Sequence, residues 1–261
     1  MNAPIQLDLG EAVLVDWTAE RYHGDPATLS RSMLEDLRKK GPRYFLGRHV
    51  ARKIPFEETP QLLFGTYAHE ALLEPHLWRR TRRGVEASIV QHVERVVAAV
   101  RAHPMVQELE RADDGANEQT ILWREPDHGL VLRTRLDMLR DLGGDTLIIG
   151  DLKTSKSAEP EEFAKTVARY GYHRQAAIYS DALQALRPDC EVHFIFIVVS
   201  KNYPFEVACY ELPADALELG RRQYRRTLAE YAERLQTNDW TAPWERSVNE
   251  LTLPKWAFYE E

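Results

Sequence analysis

Residues 133–154 have the sequence RTRLDMLRDLGGDTLIIGDLKT. The segment predicts two adjacent strands joined by a short acidic turn that contains glycine. On a strand, side chains two residues apart point to the same face, so Asp151 and Lys153 project together while Leu152 turns toward the core. A hairpin partner strand can bring Asp137 alongside them. The segment therefore predicts two acids and a lysine on one face of a sheet.

These residue types suit a metal site directed at phosphate. Two carboxylates are hard oxygen ligands for Mg²⁺, for which Mn²⁺ can substitute. Such an ion polarises a phosphate and lowers the pKa of a water, while a lysine orients that water or stabilises developing charge. An ordinary ion pair on a strand is the alternative, because an acid two residues before a lysine also occurs by chance. Lys153 is the only lysine in the sequence with such an acid, and with Asp137 nearby the metal site is favoured.

Five segments of the chain, taken in order, resemble the PD-(D/E)XK nuclease superfamily. Within it they resemble the RecE (exonuclease VIII) type of recombination exonuclease, and more distantly lambda exonuclease and the RecB nuclease domain. The segments are YHGDP at 22–26 followed by LSRSML at 29–34, FGTYAHEALLEP at 64–75, RTRLD at 133–137, DLKT at 151–154 and RYGYHRQAAIY at 169–179. Together they extend over most of residues 20–212. Five such motifs in the same order are much less likely to occur by chance than any single motif.

The resemblance implies a fold and a set of roles. The fold would be α/β (α+β), a restriction-endonuclease-like core with a mixed central sheet flanked by helices on both sides. Metal ligands would be Asp137, Asp151 and the backbone carbonyl of Leu152, with His69 at the metal as in RecB-like members. Lys153 would be the catalytic lysine, and Gln175 and Tyr179 would flank the site and contact DNA.

Three of these positions also have ordinary structural interpretations. His69 lies on an expected short helix that Thr66 could cap, where a hydrogen-bonded core histidine is the alternative to a metal ligand. Gln175 and Tyr179 are four residues apart on a helix and share a face. That face, near which Tyr172 also lies, could simply be a polar helix edge.

Glu118 opens the strand expected at 119–124. Some relatives place an acid on this strand, so Glu118 is a candidate further metal ligand, with a solvated surface position as the alternative.

The charge distribution favours a nucleic-acid partner although the net charge is −7. Eight Lys or Arg residues stand against two acids between Arg31 and Lys53, and a second basic cluster covers residues 79–83. Such clusters neutralise backbone phosphates, whereas the arginines at 221–226 are expected to form a solvated face. Residues assigned to DNA contact are Ser30, Arg31 and Ser32, which suit a 5′-phosphate at a helix N-terminus, together with Arg133, Arg135 and Tyr172.

The resemblance further implies a Mg²⁺-dependent 5′-to-3′ exonuclease on duplex DNA ends in recombination or repair. A ring-like homo-oligomer and a single-strand annealing recombinase as partner are implied in the same way. An endonuclease or single-strand-specific nuclease of the same fold, in repair or phage defence, remains an alternative. So does a catalytically inactive DNA-binding module.

Length and composition predict one domain over residues 1–261, with an N-terminal helical segment at about 20–105 and a Trp- and Pro-rich tail at about 238–261 that packs over the domain or a neighbouring subunit. With no apolar run long enough to span a membrane and no basic-then-apolar start, we expect a cytoplasmic protein without a membrane partner.

Helices are expected at about 29–40, 85–102, 160–168, 172–186 and 214–235, and strands at about 119–124, 130–140, 145–153, 192–200 and 205–212. The segment before residue 29 is expected to be irregular, strand 192–200 central and strand 205–212 at an edge.

Overall fold

The centre of the molecule is a seven-stranded sheet, seen in a computed structural model that describes residues 7–112 and 115–258. The strands are β1 (Ala12–Val15), β2 (Leu29–Ser30), β3 (Gly115–Arg124), β4 (Val131–Asp141), β5 (Thr146–Ser155), β6 (Glu191–Ser200) and β7 (Val207–Glu211). Their order is β1-β3-β4-β5-β6-β7, and β2 pairs separately with β4. The β2–β4 and β5–β6 pairs are parallel and the other pairs are antiparallel. The mixed sheet expected from the sequence is therefore confirmed.

Helices cover both faces of this sheet. They are α1 (Ala19–Gly24), α2 (Arg31–Lys40), α3 (Pro42–Phe45), α4 (Pro60–Leu73), α5 (Pro75–Thr81), α6 (Ala87–Ala102), α7 (Pro104–Arg111), α8 (Pro160–Tyr170), α9 (Tyr172–Leu186) and α10 (Ala214–Thr237). A π-helical turn at Leu46–Val50 and three short 3-10 turns complete the described secondary structure. No helix of the described residues is both long and apolar enough to cross a membrane.

Two apolar cores form because the strands alternate their side chains between the faces. On one face, Ile149 and Phe196 pack with residues of α2, α9 and α10. On the other, Leu152 and Ile197 pack with residues of α4, α6 and α7. β6 contributes to both cores, as its nearly continuous apolar sequence predicts, and β7 ends the strand order as an edge.

The sheet forks between β4 and β5. These two strands pair from Met138 opposite Gly150 to Asp141 opposite Leu147. Beyond Gly150, β5 continues along β6, while the start of β4 pairs with β2. Asp137 and Asp151 are the first residues past the last β4–β5 pair, so both acids stand where the strands part.

Three local expectations were wrong. Thr59, and not Thr66, caps the helix that carries His69, because Pro60 starts α4 earlier than expected; the Thr66 hydroxyl donates to the Leu62 carbonyl instead. β3 begins at Gly115, so Glu118 lies within the strand. The segment before residue 29 contains β1 and α1, because β1 gains its hydrogen bonds from distant β3.

The C-terminal tail is anchored at its start. Trp240 is buried and stacks on Phe45 at 5.6 Å between ring centroids, with Tyr231 against its edge. Further along, Val248 and Leu251 are exposed. The tail therefore contacts the domain through its first residues.

Candidate active site

Asp151 is the most enclosed acid at the fork. Its side chain lies on β5, fully buried, and the Gln175 side-chain amide of α9 donates to its Oδ1 at 2.6 Å. Oδ2 has no hydrogen-bond partner among the described residues and lies against the Lys153 ammonium. Because an unpaired buried carboxylate is costly, Gln175 and Lys153 together make this charge tolerable. The sequence prediction that Asp151 and Lys153 project together is reproduced here.

Asp137 faces the same opening from β4. Its Oδ2 accepts a 2.8 Å hydrogen bond from the Leu152 amide, which lies past the last β4–β5 pair. Burial, and next the nearby Asp151 carboxylate, raise the pKa of Asp137 to about 8. Two acids held this close disfavour each other's ionised form, and a bound cation relieves that repulsion.

His69 reaches the fork from α4. Its Nε2 lies 3.0 Å from the Leu152 carbonyl and its Nδ1 lies 3.4 Å from Asp137 Oδ2. A carbonyl only accepts, so this geometry puts the proton on Nε2 and leaves a lone pair on Nδ1 facing the carboxylate. Burial, followed by the Lys153 ammonium, lowers the pKa of His69 and favours the neutral ring. A neutral imidazole nitrogen facing a carboxylate oxygen is a suitable pair of metal ligands.

Glu118 completes this group of donors. The β3–β4 register places it opposite Asp137, between the pairs formed by its two neighbours, and its φ is +56°. A non-glycine residue with such a φ inside a strand is strained, and strain of this kind clusters at functional sites. Its carboxylate forms an ion pair with Arg135, and burial followed by Asp137 raises its pKa to about 7.

The donor atoms fit a divalent cation. One atom each from His69, Glu118 and Asp137 lies within 4.8 Å of the other two. The Leu152 carbonyl adjoins them and keeps a second lone pair beyond its contact with His69. Asp151 stands outside this group of three, with its two oxygens directed at Gln175 and Lys153. Oxygen-rich donors with one imidazole are compatible with Mg²⁺ or Mn²⁺.

Tyr179 forms part of the buried wall of the site. It is 8% exposed, and burial raises its pKa well above the usual value. Its hydroxyl group neighbours that of Tyr22, whose pKa burial raises to about 12. Tyr22 was not assigned a role from the sequence, although the YHGDP segment contains it. The structure thus buries Tyr179 in the core beside the fork.

Arg133 was assigned to DNA contact, and the structure does not support that role. Its side chain is 3% exposed, and its guanidinium donates to the Thr28 hydroxyl at 2.9 Å and the Asp25 carbonyl at 3.2 Å. The physical reason is the parallel β2–β4 pair, which folds residues 25–30 over this side chain. Arg133 therefore fastens the N-terminal segment to the sheet.

Arg135 is also engaged within the protein. Besides its ion pair with Glu118, it donates to the Trp17 carbonyl at 2.8 Å. It therefore positions Glu118 beside the other candidate donors, Asp137 and His69.

The predicted 5′-phosphate residues start α2. Ser30 is buried and caps the helix by accepting from the Met33 amide at 3.4 Å, while its hydroxyl lies 2.9 Å from that of the exposed Ser32. Arg31 is half-buried, donates to the Tyr170 carbonyl and lies over the ring of Tyr172. Ser32 and Arg31 are accessible at this helix terminus, whereas Ser30 acts through the cap.

The two basic clusters differ. In the first, Glu35 and Asp36 pair with Arg38, Lys39, Lys40, Arg48 and His49. In the second, Arg79, Arg80 and Arg83 are exposed and form no ion pair within the described ranges. Among the described residues, three of the four cations in the second cluster lie outside ion pairs, compared with three of the eight in the first (Arg31, Arg52 and Lys53).

Tyr170 is a site residue that the sequence did not predict. Its ring stacks on Tyr172, with 5.8 Å between centroids, at the junction of α8 and α9. The signal in the sequence is Tyr-Gly-Tyr, since the central Gly171 adopts a φ of +72° that brings the flanking residues together.

A forked mixed sheet with two acids, a lysine, a histidine and a glutamine at the fork defines the restriction-endonuclease-like class of metal-site proteins. Residues 30–246 match the family model described as "PDDEXK-like domain of unknown function (DUF3799)". The chain belongs to this family, and the resemblance to the PD-(D/E)XK superfamily is confirmed. The closer resemblance to RecE stays a prediction.

Among solved structures, the chain is similar to a protein from Eubacterium rectale described as a "Putative exonuclease". The TM-score is 0.66 at 13% identity, over 92% of this chain and 96% of the other, so the likeness concerns the fold. The chain also aligns with SSO0001 at 19% identity over 79% and 84% of the two chains, but the TM-score of 0.30 is too low to indicate a shared fold. No curated protein matches the chain.

Proposed function

We propose that the protein is a Mg²⁺-dependent DNA exonuclease that degrades duplex ends in the 5′-to-3′ direction, in recombination or repair. The observation that carries the proposal is the meeting of Asp137, Asp151 and Lys153 at the fork, with His69 and Gln175 fixed against them. Mn²⁺ would substitute for Mg²⁺ at these donors. We further infer a single catalytic domain over residues 1–261, acting in the cytoplasm.

Each residue at the fork has a separate proposed role in phosphodiester hydrolysis. Asp137, Asp151, His69 and the Leu152 carbonyl would hold a Mg²⁺ ion, with Glu118 as a further candidate ligand, and the ion would supply Lewis acidity toward the phosphate. The Lys153 ammonium is positioned by Asp151 to orient water or stabilise charge on a phosphate oxygen. Gln175 fixes Asp151, and Tyr179 supports that helix face. Water oxygen joins phosphorus while the bond to the 3′ oxygen breaks, so the released nucleotide keeps its 5′-phosphate.

Contacts with the substrate would come from two exposed basic segments. Exposed Arg79, Arg80 and Arg83 can neutralise backbone phosphates, and Arg31 with Ser32 can hold a terminal 5′-phosphate at the start of α2. A ring-like homo-oligomer would keep the enzyme on its substrate, and a single-strand annealing recombinase would receive the product strand. The description of the Eubacterium rectale protein is consistent with an exonuclease.

An endonuclease or single-strand-specific nuclease of the same fold is the second candidate, because the same catalytic core serves many substrates. A DNA-binding module without activity is disfavoured, since unpaired acids beside phosphate would weaken binding unless a cation is used there.

The experiment compares three DNAs in Mg²⁺: a linear duplex labelled at the 5′ ends, the same duplex labelled at the 3′ ends, and a covalently closed circle. The proposal predicts early release of 5′ label as mononucleotide, late release of 3′ label, and an intact circle. Early release of the 3′ label would show that the enzyme degrades DNA in the 3′-to-5′ direction. Cleavage of the circle would establish the endonuclease, and binding without hydrolysis of any substrate would establish the inactive module.

A further inference from the structure

An array of cations and aromatic rings leads from Lys153 to the surface. The Lys153 ammonium lies 4.9 Å from the centroid of the Tyr172 ring, and Tyr172 stacks on Tyr170 at 5.8 Å with 24° between the ring planes. The Arg169 guanidinium lies 5.6 Å from the Tyr170 centroid. The Tyr172 ring therefore lies between Lys153, the predicted catalytic lysine, and the half-exposed Tyr170.

The two rings have different surroundings. Tyr172 also contacts Phe163 and Phe196 of the core, at 6.3 and 6.1 Å between centroids. Tyr170 is 48% exposed. Tyr172 is therefore the base of the array, and Tyr170 offers the surface on which a further planar group can stack.

The backbone that carries Tyr170 is anchored to α2. Arg31 donates to the Tyr170 carbonyl, and Lys39 donates to the Arg169 carbonyl at 3.0 Å. These cations satisfy the last carbonyls of α8 and interact well with the negative end of its dipole. An exposed aromatic ring with a fixed orientation loses little further conformational entropy when it stacks on a ligand.

Positive charge surrounds the rings. Arg31 lies 5.7 Å from the Tyr172 centroid, its Nε has no hydrogen-bond partner among the described residues, and neither Arg31 nor Arg169 forms an ion pair there. Stacked aromatic rings beside cations that lie outside ion pairs are the combination that binds single-stranded nucleic acid, because every base has a π-face and every nucleotide a phosphate.

We propose that Tyr170, supported by Tyr172, is a stacking platform for an unpaired nucleobase of the substrate strand close to the scissile phosphate. Arg31 and Arg169 would meet the phosphate of that nucleotide. The enzyme therefore prefers a DNA end whose terminal bases are unpaired over a fully paired end. This inference rests on the proposed nuclease function and adds a substrate preference to it.

The test uses the full-length chain and duplexes carrying 2-aminopurine near the 5′ end, either paired or frayed by mismatches. Stacking quenches 2-aminopurine fluorescence, and Ca²⁺ replaces Mg²⁺ during binding measurements to limit hydrolysis. Variants are Tyr170→Ala, Tyr170→Leu and Tyr170→Phe, with Tyr203→Ala as the control, because Tyr203 is 87% exposed on the β6–β7 loop. Circular dichroism and melting curves confirm that each variant is folded.

We expect quenching on the frayed end with the wild type, Tyr170→Phe and Tyr203→Ala. Tyr170→Ala and Tyr170→Leu should lose the quenching and bind the frayed end about 10-fold or more weakly. In Mg²⁺ their KM for the frayed end should rise with little change in kcat, since the contact is lost equally from ground and transition states.

Two outcomes overturn the inference. If the wild type cleaves DNA but Tyr170→Ala binds, quenches and cleaves like it, the platform is absent and the nuclease function stands. If the wild type neither binds nor cleaves any of the DNAs, the proposed function fails and the platform fails with it.

Discussion

The proposed metal ligand Asp137 carries a cost in stability when no cation is bound. The pKa of Asp137 rises from 3.8 to about 8 on folding because burial and Asp151 disfavour its charge. Between these values the folded protein holds a proton that the unfolded chain has released, so stability falls as the pH rises through this range. Above pH 8 the full cost is present when no cation is bound.

Replacing this carboxylate should therefore stabilise the metal-free protein. In EDTA at pH 8 we expect Asp137→Asn to melt a few °C above the wild type, corresponding to on the order of 1 kcal/mol or more. The difference should shrink toward pH 4, and the variant should have no nuclease activity. Asp189→Asn, at an exposed acid outside the site, is the control and should change neither property.

The measurement is a melting series from pH 4.5 to 8.5 in EDTA. A lower melting temperature for Asp137→Asn at pH 8 would show that the attraction of the Asp137 charge to Lys153 and to the Leu152 amide outweighs the burial and the repulsion, contrary to this account.

Single residues also mark the limits of sequence analysis. Asp137, Asp151 and Lys153 could be predicted because the period of a strand fixes which side chains share a face. The burial of Arg133 could not, because Thr28 and Asp25 are more than 100 residues away in the chain. The positive φ of Glu118 has no signal in the sequence, since glutamate rarely adopts that conformation.

At the scale of elements, the junction between α8 and α9 depends on Gly171. Its φ is +72°, and a Cβ there would collide with the Arg174 guanidinium. That guanidinium is itself held by Glu35 of α2 and Gln223 of α10. The junction therefore fixes α8 and α9, the array of Tyr170 and Tyr172, and the start of the helix that carries Gln175.

Gly171→Ala should destabilise the protein by about 2 kcal/mol or more, from left-handed strain of about 1 kcal/mol together with the displaced Arg174. Gly144→Ala is a matched control, because Gly144 has a φ of +61° and open space around its Cα; it should lose only the strain energy. Urea unfolding of both variants measures the difference. Equal losses would show that Arg174 moves aside freely.

The long elements were predictable and the short ones were not. β6 and α10 have extended apolar patterns that identify them without tertiary information. β1 and β2 have four and two residues, and they exist because β3 and β4 supply their partners. Tertiary pairing of this kind has no local period, so the sequence predicts an irregular segment before residue 29 and places Leu29 and Ser30 in the following helix.

At the scale of the whole molecule, metal binding should couple distant parts of the chain. Asp137 on β4, Glu118 on β3 and His69 on α4 converge on one position, and an ion that binds only this arrangement stabilises the folded state. At a free concentration 100 times the dissociation constant, the gain is about 2.7 kcal/mol, which raises the melting temperature by several °C.

We therefore expect Mg²⁺ or Mn²⁺ to raise the melting temperature of the wild type at pH 8, and EDTA to reverse the change. The rise should be much smaller for Asp137→Asn and His69→Ala than for Asp189→Asn. An equal rise in melting temperature for all four proteins would show that the ion binds outside the site formed by Asp137, Glu118 and His69.

The central claim is that the fork hydrolyses DNA with Lys153 as its catalytic lysine. The most direct measurement is the release of nucleotides from a linear 5′-phosphorylated duplex in Mg²⁺ by the wild type, Lys153→Ala and Lys201→Ala, purified in parallel. Lys201 follows β6 outside the site and is the matched lysine control. We predict rapid release by the wild type and Lys201→Ala, a loss of about 10²-fold or more for Lys153→Ala, and no release in EDTA. Equal release by Lys153→Ala and the wild type, or none by the wild type on any DNA, would contradict the account.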